Sequence, residues 1–132
     1  ESMLLVVIVA IGVILWFIRK SSIDKYSQKQ ELAMRILETA KQLRLEHLAD
    51  INELGGQMAS ADREQYISLT QERELTETVI RDLENIIRCL QDILQWRPEP
   101  SAGRNKIQIA IFALQRQTGY TLEELAQDLG VK

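Results

Sequence analysis

The chain is poor in the residues from which catalytic and metal sites are built. Its 132 residues contain one histidine, His47, and one cysteine, Cys89. One cysteine excludes an internal disulfide and fits a reducing compartment. One histidine and one cysteine also exclude most nucleophilic and metal-binding constellations within a single chain. There is no glycine-rich phosphate loop and no nucleophile elbow. No cofactor and no metal are therefore expected, and the chain is not read as an enzyme. Aromatic residues make up 5% and there are only two prolines. That scarcity excludes a β-sandwich and leaves long helices built on Leu, Ile, Gln, Glu and Arg.

Charge of one sign is also missing in bulk. The net charge is −3, too small to imply a nucleic-acid partner. Its distribution is uneven. Residues 19–50 carry seven Lys/Arg against five Asp/Glu, residues 51–100 five against ten, and residues 101–132 four against three.

What is present in excess is a charge-free apolar run. It begins at Met3, ends at Ile18, and reads MLLVVIVAIGVILWFI. Sixteen helical residues rise about 24 Å, short of but close to a hydrocarbon core of about 30 Å. Trp16 and Phe17 stand near its end, and Arg19 and Lys20 follow at once. An aromatic backed by basic residues marks a membrane boundary, and Arg19, Lys20, Lys25 and Lys29 put the C-terminal side in the cytoplasm. A cleaved signal peptide would place its positive charge before the run, and a soluble core helix would rarely be apolar on every face. The expectation is a single transmembrane anchor over residues 1–20, with Met3 a sensible initiator. Glu1 followed by LLVVIVAIGVIL resembles the N-terminus of type IV pilins, which implies an assembly helix; that family places its Glu and its cleavage signal differently.

Beyond the run, Leu32, Ala33, Ile36, Leu37, Ala40, Leu43, Leu48, Ile51 and Leu54 share one helical face, opposite Arg35, Glu38, Gln42 and Glu46. His47 sits in that stripe as an interface or core histidine. Gly55 and Gly56 predict an interruption, each costing about 1 kcal/mol of helix propensity relative to alanine. Asp62 and Gln65 then form a capping-box pattern. The reading is a long hairpin over 21–97, with helices about 23–54 and 62–96. A continuous kinked helix is the rival. Val79, Leu83, Ile86, Leu90 and Ile93 form an apolar seam, widened by Ile80, Ile87 and Leu94, with Cys89 and Trp96 off it. One hairpin would leave part of such wide stripes wet, so a homo-oligomeric coiled-coil bundle is expected.

Pro98 and Pro100 predict a linker over 98–105. A small helical pair over 106–132 follows, with Gly119 as a stop and Thr121 with Glu124 as a second capping box. TLEELAQDLGVK resembles the first helix and turn of a helix-turn-helix unit. The sequence ends at Lys132 before a recognition helix, so the module is read as a packing or partner-docking hairpin and a nucleic-acid partner is disfavoured. The fold class expected is all-α: an N-terminal transmembrane helix, a long hairpin and a small C-terminal pair. The function expected is a membrane-anchored structural or adaptor protein, with the lipid bilayer, a second copy and a protein as partners. A phage-type lysis or membrane-remodelling protein and a membrane-tethered nucleic-acid binder are the alternatives.

Overall fold

The computed structural model describes residues 2–98 and 101–131; for residues 19–24, 101 and 102 it describes the helix backbone alone. Arg19 and Lys20, expected at the membrane boundary, have side chains outside the described residues. The protein is all-α, with no strand among the described residues. Among the described residues four helices follow in order: α1 Ser2–Ala59, α2 Arg63–Leu94, α3 Ser101–Thr118 and α4 Leu122–Asp128.

Helix α1 is the largest element, 58 residues long and about 87 Å from end to end. It carries the apolar run and the amphipathic stripe on one axis. The helix passes through Gly55 and Gly56 instead of stopping there. Both glycines are exposed, but Leu54 just before them is buried and Met58 just after them is half-buried. Packing on either side thus holds helical a stretch that propensity disfavours.

The chain turns over residues 60–62. The last turn of α1 closes with amides of Ser60 and Ala61 donating to the carbonyls of Gln57 and Met58. Asp62 then caps α2. Its carboxylate accepts from the Gln65 amide at 2.9 Å, and the Gln65 side chain accepts from the Asp62 amide at 3.4 Å. The expected hairpin is present, with its turn about five residues later than the glycines suggested.

Helix α2 runs back along α1. Arg44 meets Glu84 at 3.2 Å, and Gln30 donates to the carbonyls of Ile93 and Trp96. These pairs fix an antiparallel register. Within one chain, most of the expected seam of α2 is buried and its first residue is not. Leu83, Leu90 and Ile93 are buried and Ile86 is half-buried, but Val79 is 41% exposed and Ile80 takes its place inside. Cys89 is buried too, and its Sγ donates to Gln117 Oε1 on α3 at 3.2 Å. Cys89 is inside because α2 has two neighbours at that level. One face meets α1 and a second face meets α3.

Helix α3 begins at Ser101, five residues earlier than the linker reading allowed. Gly103 makes this early start fit, since a Cβ there would collide with the carbonyl oxygen of Arg97. Helix α4 opens with its expected capping box. Thr121 Oγ1 accepts from the Glu124 amide at 3.1 Å, and Glu124 accepts from the Thr121 amide. Gly119 and Gly130 take φ of 76° and 70°, the left-handed turn that ends a helix.

One core joins all four helices: Ala33, Ile36 and Leu37 of α1; Cys89, Leu90 and Ile93 of α2; Ile107, Ala110 and Leu114 of α3; Leu122, Leu125 and Ala126 of α4. The small C-terminal pair therefore covers, within one chain, much of the wide stripe that had suggested self-association. The apolar face of α4 is itself used in this packing.

Candidate membrane and docking surfaces

The first surface is the start of α1. Fourteen large apolar side chains between Met3 and Ile18 are each 52–81% exposed, and Ala10 and Gly12 between them are exposed as well. Every face of the helix is apolar, so no rotation about its axis would hide it. Trp16 stands edge-on to Phe17, with ring centroids 6.5 Å apart. Among the described residues no helix is long and apolar enough to cross a membrane. The uncharged run is about 6 Å shorter than an ordinary hydrocarbon core, and the same helix then enters charged sequence. The expected transmembrane anchor is corrected to this extent: an exposed apolar helix that falls short of an ordinary span.

The second surface is the junction of α1, α3 and α4. Tyr26 Oη donates to Gln108 Oε1 at 3.1 Å, and Lys29 Nζ donates to Glu123 Oε1 at 2.6 Å. The hydrogen bond from Lys29 is the main reason the Glu123 carboxyl lies below its ordinary range, with its own backbone amide adding to the effect. Lys106 Nζ lies 4.1 Å from the centre of the Trp96 ring, a cation–π contact. Sequence reasoning noted Trp96 but not Lys106; nothing in the sequence joins residues ten apart across two prolines.

The third surface is the distal part of the hairpin, where α1 and α2 pack without α3. A groove of about 480 Å³ is lined by Lys41, Arg44, Leu45, Glu84 and Ile87. Leu45, Leu75 and Val79 are 58%, 71% and 41% exposed. The groove contains one surface ion pair and one further cation, and no nucleophile or histidine.

His47 lies outside these surfaces. Its Nδ1 is 3.8 Å from Asp50 Oδ2 one turn away, and the described residues hold no cluster of three metal-ligating side chains. Burial pushes the Cys89 thiol above its ordinary value, with Asp92 adding to the rise and Arg88 opposing it. A buried, protonated thiol packs as a small hydrophobe and is a poor nucleophile. No family model matches this chain, and no curated protein and no solved structure matches it either.

Proposed function

We propose that this protein is a membrane-anchored, non-catalytic adaptor: residues 3–18 are embedded in a lipid bilayer and hold a rigid helical arm at its surface. One observation carries the reading, the all-round exposure of fourteen large apolar side chains on one helix. Apolar patches beyond a few hundred Å² do not stay wet on a soluble monomer, and a helix apolar on all faces is matched by lipid. The missing 6 Å or so is met by local thinning of the bilayer and by snorkelling of the basic residues that follow in sequence. Those basic residues place the arm on the cytoplasmic side. The distal hairpin, with Leu45, Leu75 and Val79 exposed, offers the arm's surface for a protein partner or a second copy.

The test is fractionation. The full chain should stay with membranes through alkaline carbonate, and a chain lacking residues 3–18 should become soluble yet remain helical, because no residue of that run belongs to the core. Full-length protein in the soluble fraction would sink the reading. For the orientation, a Ser60→Cys chain carrying Cys89→Ser should resist an impermeant thiol reagent in intact cells; ready labelling would reverse it.

A further inference from the structure

The hairpin brings a second basic segment, distant in sequence, to the end of the arm where the apolar run begins. Helix α1 is continuous from Ile18 through Tyr26, so Tyr26 lies eight residues, about 12 Å, beyond the apolar run. Tyr26 bonds Gln108 of α3. Farther along the arm, Cys89 of α2 bonds Gln117 of α3. Because α2 runs antiparallel to α1, with Gln30 opposite Ile93 and Arg44 opposite Glu84, Cys89 is farther from the apolar run than Ile93. Helix α3 therefore ascends beside α1, and its residues before Gln108 point back toward residue 18. Arg104 and Lys106 lie there. Arg97 joins them through the α2–α3 corner, where its carbonyl abuts Gly103.

We propose that Arg97, Arg104 and Lys106, together with Lys25, form a basic collar that binds the anionic headgroups of the membrane in which residues 3–18 are embedded. The inference rests on the membrane-anchor reading and adds to it a surface of the C-terminal module. Three observations support it. Residues 95–108 carry three cations against one carboxylate in sequence, Glu99. Neither Lys25 nor any of the three makes an ion pair with a described residue, whereas Lys29, just above, is paired with Glu123. The height is also right. A headgroup layer is about 5–8 Å deep on each face, so side chains rooted within about 12 Å of the run reach it when extended. The opposite end of the arm has the opposite sign, with Asp62, Glu64, Glu72 and Glu74 against Arg63 and Arg73. An anionic surface thus attracts the base and repels the tip. Trp96, stacked under Lys106, holds that ammonium in place at the corner.

The experiment uses the full chain in vesicles with a fluorophore on Asn105→Cys, an exposed position of α3, in a Cys89→Ser background. Quenching is compared for headgroup-spin-labelled phosphatidylserine and headgroup-spin-labelled phosphatidylcholine at equal mole fraction. The serine lipid should quench at least about fivefold more effectively, the contribution expected of a single Lys or Arg near an anionic headgroup. Arg97→Gln/Arg104→Gln/Lys106→Gln should bring the ratio near one while phosphatidylcholine still quenches. The charge-conserving Arg97→Lys/Arg104→Lys/Lys106→Arg should keep the wild-type ratio, as should Arg63→Gln/Arg81→Gln, which removes charge away from the corner. A wild-type ratio of one, or an equal fall in the Arg63→Gln/Arg81→Gln chain, overturns the collar. Loss of the protein from the vesicles at alkaline pH is a separate outcome: it overturns the anchor reading on which the collar depends.

Discussion

A methyl group at Gly103 would collide with the carbonyl oxygen of Arg97, and backbone cannot swing aside as a side chain can. Alanine in a helix is ordinarily favoured over glycine by about 1 kcal/mol. At Gly103 the sign should reverse, because the α2–α3 corner must open by an overpacking cost of about 1–3 kcal/mol. Gly56→Ala is the control, since a Cβ there meets nothing within 4 Å. In thermal melts of the detergent-solubilised chain, Gly103→Ala should lower the midpoint and Gly56→Ala should raise it. Equal stabilisation by both would mean that the corner is not closed.

Cys89 gives the second expectation at this scale. Its folded thiol ionises at higher pH than an exposed one, whose ordinary value is 9.0. Above that value the unfolded thiol loses its proton while the folded one keeps it. The associated stability is therefore complete below about pH 9 and falls as pH rises through the folded value. Cys89→Val should flatten this alkaline decline in a melting series, and wild-type Cys89 should react with iodoacetamide far more slowly before unfolding than after. Equal rates in both states would place the thiol at the surface.

At the scale of the element, the two faces of α2 decide what each substitution does. Leu90 is fully buried where α1, α3 and α4 converge, so Leu90→Ala should cost about 2–5 kcal/mol. Val79, 41% exposed on the distal hairpin, should lose no more than about 0.5 kcal/mol as alanine unless a partner covers it. Chemical denaturation of the single variants measures both; a large loss at Val79 would mean that this face is covered in solution, as an oligomer seam requires. The difference between the two residues also shows what was legible in sequence. Caps read well because a capping box is local: Asp62 with Gln65 and Thr121 with Glu124 need only their own three-residue spacing. The phase of the α2 seam did not, because Ile80 and Val79 are equally apolar and only the rotation of α2 against α1 chooses between them. Cys89 looked off the seam because the helix that covers it, α3, lies beyond the linker. Gly55 and Gly56 read as a stop because propensity is a local quantity, whereas the packing of Leu54 and Met58 that overrides it is not. The proposed collar was invisible in sequence, since nothing before folding brings Gln108 to Tyr26.

At the scale of the molecule, the continuity of α1 has a mechanical consequence. Residues 19–59 form 41 residues of unbroken helix beyond the apolar run, so the tip stands about 60 Å from the end of that run. If the run is embedded as proposed, a typical tilt of about 20° lowers the tip by only a few ångströms. The lower part of this lever is braced, because α2, α3 and α4 all pack against α1 between Tyr26 and Leu37. The base of the lever, between Ile18 and Tyr26, contains in sequence Ser21 and Ser22, both weaker helix formers than alanine. Low intrinsic propensity makes the two serines the place to test the stiffness of the arm. Energy transfer from a donor on Ser60→Cys, in a Cys89→Ser chain, to an acceptor dye at the bilayer surface should report a tall, narrow distance distribution. Ser21→Gly/Ser22→Gly should broaden that distribution and shift it toward the membrane, and Ser21→Ala/Ser22→Ala should sharpen it. Circular dichroism should barely change in either variant, since only two of the residues of α1 are altered. A wild-type tip at less than half the expected height would mean that α1 bends sharply at the two serines and that the arm lies along the bilayer. Retention of the wild-type distribution by the double glycine variant would mean that the two serines do not set the stiffness of the arm.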